Sequence, residues 1–187
     1  MSDFREISTL IVDPTGHSKG LLKGLLTTLE VGRVTAVNNT DEAFLALRRE
    51  VFSVVFCDEF AGPADPFLFL KTLRRDLTTR DVTVPVVLVS AGADYPKILA
   101  ARDAGMNGVV AKPVSAETIE RKLRSLLLAP RVFVTAKAFV GPDRRRAGED
   151  RRQFGERHSG EDRRGRSADG AVFAIGPRHD PTEPVKP

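Results

Sequence analysis

Through its first 130 residues the chain alternates short, continuously apolar runs with longer stretches in which apolar positions recur every three or four residues. The runs Thr9 to Val12, Arg33 to Val37, Ser53 to Cys57, Val84 to Val89 and Gly108 to Ala111 have the length and β-branched content of strands. Between them the helical period predicts helices at His17 to Glu30, Asp41 to Arg49, Pro66 to Leu77, Tyr95 to Ala104 and Ala116 to Leu128. Thr40 with Asp41, and Ser115 with Glu117, supply capping groups and first-turn acids. Strands that are apolar throughout are covered on both faces, so this order predicts an α/β fold: a five-stranded parallel sheet, doubly wound by helices.

Beyond residue 130 the pattern changes. Arg131 to Val140 alternates imperfectly through Val132, Phe133, Val134, Ala138, Phe139 and Val140, which predicts an extra strand or a segment that docks the rest of the chain on the domain. Ala171 to Ile175 reads the same way. Pro177, Pro181, Pro184 and Pro187 then discourage regular structure. The expected organisation is a globular domain over 1–130, a connecting segment over 131–140, an arginine-rich segment over 141–170 and a proline-rich tail over 171–187.

Charge sharpens that division. Residues 1–130 carry 16 Lys and Arg against 16 Asp and Glu, whereas residues 131–187 carry 13 against 9, so the formal net charge of +4 resides in the tail. Between 141 and 166 there are nine arginines and no lysine, arranged around a motif that occurs three times. Its copies are Gly141-Pro142-Asp143-Arg144-Arg145, Gly148-Glu149-Asp150-Arg151-Arg152 and Gly160-Glu161-Asp162-Arg163-Arg164.

A polycation that merely attracts phosphate needs neither the exclusive use of arginine nor an acid fixed before each pair, because that acid weakens long-range attraction to polyanions. A solubilising arm would interchange Lys and Arg and hold no phase. Guanidinium forks match phosphate oxygens and the O6/N7 edge of guanine and stack on purine rings, while a carboxylate accepts from the N1 and N2 donors of guanine. The motif therefore points to a small, planar, anionic guanine ligand.

Other chemistries find less support. No apolar run approaches the roughly 20 residues that span a bilayer, and no signal segment opens the chain, so a cytoplasmic protein without membrane insertion is expected. The single cysteine, Cys57, cannot form an intramolecular disulfide and reads as a small buried hydrophobe. His17, His158 and His179 lack ligand-like spacing. Nucleic acid is not the expected partner, because the array carries interleaved acids and only Phe154 for stacking.

In open α/β sheets, chemistry collects at the carboxyl ends of the strands. Asp13, Asp58, Ser90 and Lys112 follow the first, third, fourth and fifth predicted strands. This set resembles the receiver domains of two-component response regulators, of CheY-like type, from about Glu6 to Leu128. The resemblance is carried by Leu10-Ile11-Val12-Asp13, Val54-Val55-Phe56-Cys57-Asp58, Asp65, Pro85-Val86-Val87-Leu88-Val89-Ser90-Ala91, Ala104-Gly105 and Lys112-Pro113. It implies a flavodoxin-like receiver fold with Asp58 as phosphoacceptor, Lys112 contacting the phosphoryl group, Ser90 as its hydroxyl partner and a cis Lys112-Pro113 peptide.

The chain departs from that family at two places. Pro14 stands where receivers carry a second acid, which leaves Asp13 and Asp58 as weak side-chain ligands for Mg²⁺. Val109 stands where an aromatic switch residue is usual. Phe60 falls where the family uses a backbone carbonyl, and Glu59 is expected to be a solvated surface acid.

A receiver with reduced phosphorylation chemistry and an appended Gly-x-Asp-Arg-Arg array resembles the CheY-like cyclic di-GMP effector (Cle) proteins. That resemblance implies cyclic di-GMP as ligand, held by Asp143, Arg144, Arg145, Arg146, Asp150, Arg151 and Arg152, with additional contacts from Asp162, Arg163 and Arg164. Glycine before each acid is expected to let the backbone turn closely about the ligand. The receiver would dock a protein partner such as the flagellar motor switch, and no reaction would be catalysed. A conventional phosphorylated response regulator and an RNA- or DNA-binding protein are the alternatives from other classes.

Overall fold

The computed structural model describes residues 4–60, 65–136, 139–143 and 171–173. The expected order is realised: β1 (Ser8–Val12), α1 (Gly16–Thr28), β2 (Arg33–Val37), α2 (Thr40–Arg49), β3 (Val54–Asp58), α3 (Pro66–Leu73), β4 (Val86–Ser90), α4 (Tyr95–Ala104), β5 (Gly108–Ala111) and α5 (Ala116–Leu128). The strands form one parallel sheet in the order β2-β1-β3-β4-β5. Strand order reverses between β1 and β3, and the crevice at their carboxyl ends is where such sheets place ligands.

Period-two alternation divides the core between the two faces. Leu10, Val12, Val55, Cys57 and Leu88 face α2, α3 and α4 through Ala43, Leu47, Phe69, Leu70, Leu73 and Ala101. Ile11, Val54, Phe56, Val87 and Val89 point the other way, onto Leu22, Leu26, Ile119 and Leu123 of α1 and α5. Every residue of β3 and β4 is buried, as strands without polar alternation require.

Two local expectations change. Helix α2 is capped by Asn39, whose side chain accepts from the Glu42 amide, so Thr40 lies inside the helix and not at its cap. Helix α3 stops at Leu73 rather than Leu77, because Asp76 folds the following residues into a turn by accepting from the Thr78 amide. Ser115 caps α5 as expected, accepting from Thr118 N.

The connecting segment forms two strands, β6 (Phe133–Ala136) and β7 (Phe139–Pro142), paired antiparallel, and β8 (Ala171–Phe173) pairs with the other edge of β6. This second sheet has the order β7-β6-β8. Its hairpin packs on the α4–β5 turn, at the amino end of β5 and so opposite the strand ends that carry Asp13 and Asp58. Gly105 ends α4 in the left-handed conformation, with φ of 95°. A Cβ on Gly105 would lie 2.7 Å from the Val140 carbonyl oxygen, and one on Gly141 would lie 2.7 Å from Gly105 Cα. Backbone thus crosses backbone where only glycine fits on either side.

Arg74 completes the joint. It is 6% exposed, donates from Nη1 to the carbonyls of Val82 and Val84 at 2.6 and 2.9 Å, and sets its guanidinium 5.2 Å from the Phe133 ring centre. Burial pulls its pKa down to about 10, still high enough to keep it charged at neutral pH.

Candidate functional site

The strand ends bring the expected residues together. Asp13 follows β1 and is 3% exposed, Asp58 ends β3 at 2%, and Lys112 follows β5 with its Nζ 2.5 Å from Asp58 Oδ2 and 3.9 Å from Asp13 Oδ2. The Lys112-Pro113 peptide is cis. Each carboxylate also serves its own loop: Asp13 Oδ1 accepts from Thr15 N at 2.7 Å, and Asp58 Oδ1 accepts from Phe60 N at 2.9 Å. Asp58 can meet an incoming electrophile here while the Lys112 ammonium beside it neutralises part of the charge on its oxygens.

The donor set also bears on a metal. Mg²⁺ asks for near-octahedral oxygen coordination. This chain brings together the carboxylates of Asp13 and Asp58, with Lys112 already neutralising part of their charge. Pro14 occupies the exposed rim beside Asp13 and contributes no side-chain oxygen. The set suits a weakly held ion completed by water.

Ser90 is buried at the end of β4, but its hydroxyl is turned to a residue expected to lie in solvent. Ser90 Oγ donates to Glu59 Oε2 at 2.9 Å, and the Ala91 amide donates to Glu59 Oε1 at 2.6 Å. Lys97, in the first turn of α4, donates to Glu59 Oε2 at 2.6 Å and to Ser90 Oγ at 3.3 Å. The Glu59 side chain is only 10% exposed. Burial raises its pKa, and hydrogen bonds from Lys97, Ala91 and Ser90 more than offset that, so it is held below the usual carboxylate range.

The expectation that Glu59 is a solvated acid is therefore corrected. Neighbouring strand-end side chains do diverge, but register decides where the second one arrives. Asp58 pairs with Val89, and the Glu59 amide continues the ladder to the Val89 carbonyl. Glu59 is thereby set beside Ser90, on the sheet face that α4 covers. No spacing signal marks this cluster, since Glu59 and Lys97 are 38 residues apart.

Cys57 is buried as expected, and its thiol is pushed up to about 12, mainly by burial and further by Asp58 and Asp13. Val109 is half-buried against the core under α4. No group of three or more His, Cys, Asp or Glu able to hold a metal occurs among the described residues.

Of the arginine-rich segment, the structure places only its start. Asp143 follows β7 and donates its amide to the Val132 carbonyl at 2.7 Å. Gly141, expected to turn about a ligand, is instead a strand residue pressed on Gly105. Arg144, Arg145, Arg146, Asp150, Arg151, Arg152, Asp162, Arg163 and Arg164 lie outside the described residues. The strands that flank them, β7 and β8, are held on opposite edges of β6.

Residues 9–124 match the response regulator receiver domain. The chemotaxis protein CheY-3 of Vibrio cholerae serotype O1 is 28% identical over 119 residues, covering 64% of this chain and 90% of that protein. A putative response regulator from Chloroflexus aurantiacus superposes with a TM-score of 0.59 at 22% identity, covering 65% of this chain and 98% of the other. The receiver domain of a sensor histidine kinase from Pseudomonas aeruginosa, solved with a magnesium ion coordinated in its active site cleft, superposes with a TM-score of 0.56 at 23% identity. That likeness covers 63% of this chain and 94% of the other.

Proposed function

The chain belongs to the response regulator receiver domain family over residues 9–124, and from that premise we propose that it is a cyclic di-GMP effector whose receiver presents the signal to a protein partner. The observation that carries this reading is the threefold Gly-x-Asp-Arg-Arg motif, arginine only, with an acid fixed before each pair. Arg144, Arg145, Arg146, Arg151 and Arg152 supply planar forks for guanine edges and phosphates, and Asp143 and Asp150 accept from guanine N1 and N2. Asp162, Arg163 and Arg164 repeat the same chemistry further on. The docked hairpin supports the reading, because the array then begins from a fixed point on the receiver and not from a loose linker.

On this reading the Asp58 pocket is subsidiary. Pro14 leaves Mg²⁺ weakly held, and no reaction is catalysed. The partner is a motility component such as the flagellar motor switch, a choice favoured by likeness to a chemotaxis protein. No described helix is long and apolar enough to cross a membrane, and the reading places the protein in the cytoplasm.

One observation favours a second reading, a conventional phosphorylated regulator: Asp58 and Lys112 are in contact at 2.5 Å. Calorimetry with cyclic di-GMP, GTP and a short RNA on the full chain separates the readings. Cyclic di-GMP alone is expected to bind tightly. Changing Arg144, Arg145, Arg151 and Arg152 together to Lys, at constant charge, is expected to abolish most of that binding. Each lost bidentate base contact costs roughly 1–3 kcal/mol. Undiminished affinity in the all-Lys variant would reduce the array to an electrostatic tail.

A further inference from the structure

Glu59 and Lys97 are used by neither reading of the function, and both hold Ser90. Four donors converge on or beside one carboxylate: the Ser90 hydroxyl, the Ala91 amide, the Lys97 ammonium and, onto Ser90 Oγ itself, the Gly92 amide at 3.2 Å. Among the described residues, the hydrogen bonds of Ser90 Oγ go to Glu59, Lys97 and Gly92, and none joins it to Asp58. The resemblance to receivers assigns that hydroxyl to a phosphoryl group on Asp58. Here an anion supplied by the chain already holds it.

The same anion reaches the next element. Lys97 lies in the first turn of α4, whose N-cap Asp94 accepts from the Lys97 amide at 2.9 Å. Glu59 is fixed by the sheet ladder through its own amide, so it ties β3, the end of β4 and the start of α4 into one unit. Charge-assisted hydrogen bonds at a nearly buried site are the strong kind, and removing their acceptor leaves the donors exposed or unpaired.

We propose that Glu59 takes the place of a phosphoryl group as the acceptor for Ser90 and Ala91 and as the partner of Lys97, so that the β4–α4 junction is set in one arrangement without phosphorylation of Asp58. The junction is then a fixed feature of this receiver, held by contacts within the chain. Loss of a second acid at Pro14 is compatible with that arrangement, because the chain no longer depends on metal-assisted phosphorylation to place the junction. The inference stands whether or not the array binds cyclic di-GMP.

The test is amide hydrogen exchange on the full chain, read at residues 90–98, with the sheet amides of β1 and of residues 86–89 in β4 as internal controls. Glu59→Gln keeps the shape and removes the charge, and Glu59→Ala removes the acceptor. Both are expected to speed exchange at Ala91 to Lys97 by about tenfold or more while the sheet controls hold. If Glu59→Ala also loosens the sheet, Glu59→Gln decides. Unchanged exchange in Glu59→Gln overturns the proposal.

A second arm addresses the phosphoryl role, using beryllofluoride with Mg²⁺ as a phosphoryl analogue in a Pro14→Asp background. With Glu59 present, the analogue is expected to leave exchange at 90–98 unchanged. With Glu59→Ala added, it is expected to restore the lost protection. An equal response in both backgrounds, or none in the Glu59→Ala background, overturns the substitution of Glu59 for the phosphoryl group.

Discussion

At the scale of single residues, the pocket is governed by what Pro14 and Cys57 cannot do. Pro14 sits on the exposed rim next to a nearly buried Asp13, so an aspartate there meets no steric obstacle and adds the missing oxygen ligands. Pro14→Asp is expected to raise Mg²⁺ affinity at least tenfold and to speed labelling of Asp58 by a small-molecule phosphodonor; titration calorimetry and intact mass measure the two. Slow or absent labelling of the natural sequence is the companion expectation.

Cys57 illustrates the pH argument. Its pKa is raised to about 12 by burial and by neighbouring carboxylates, so below that pH the folded protein keeps the thiol neutral. Alkylation at pH 8 is expected to run about 100-fold or more slower in the native chain than in urea, because the thiolate is the nucleophile. Mass spectrometry of the quenched reaction gives both rates. Asp13, Asp58, Lys112 and Cys57 were all legible as residue types in the sequence, since strand ends could be located from apolar runs. The partner of Ser90 was not.

At the scale of elements, the β6–β7 hairpin shows how one residue of a repeat can be taken over by the fold. Gly141 is the first glycine of the array, yet its backbone is pressed on Gly105, and a Cβ would also meet the Phe139 ring at 2.9 Å. Gly141→Val is expected to undock the hairpin at a cost of about 1–3 kcal/mol, the range for overpacking a close contact. Exchange should rise through Phe133–Pro142 while β1 and β3 keep their protection.

Arg74 makes the converse test of the same joint. Removing its guanidinium leaves the carbonyls of Val82 and Val84 without their donor and Phe133 without its cation. Arg74→Met is expected to lower stability by about 1–3 kcal/mol in urea unfolding. The imperfect alternation of 131–140 announced strand character. It gave no sign that the segment would fold back on the α4–β5 turn, because Gly105 and Arg74 are remote from it in sequence.

At the scale of the whole molecule, a neutral receiver carries a tail with the entire formal charge of +4. Ligand binding should therefore be strongly salt-dependent, while stability of the parallel sheet should not. If cyclic di-GMP binds the folded chain alone, a concentration of 100 times Kd stabilises it by about 2.7 kcal/mol. Thermal unfolding of the full chain is expected to shift upward with the ligand. A chain ending at Asp143, which retains β6 and β7, is expected to show no shift.

What the sequence determined by itself was the order of strands and helices, the burial of β3 and β4 on both faces, the acids and lysine at the strand ends, and the threefold Gly-x-Asp-Arg-Arg pattern of the array. Those follow from local rules: period, turn chemistry and residue type. Tertiary structure alone decided the pairings that join remote positions, Glu59 with Ser90 and Lys97, Arg74 with Phe133, and Gly105 with Gly141. Each depends on register and on which face a side chain reaches, and a shift of one residue in β3 against β4 would send Glu59 to the opposite face. Apolar runs fix that a strand exists; the hydrogen-bonded ladder between strands fixes which charges meet at its end.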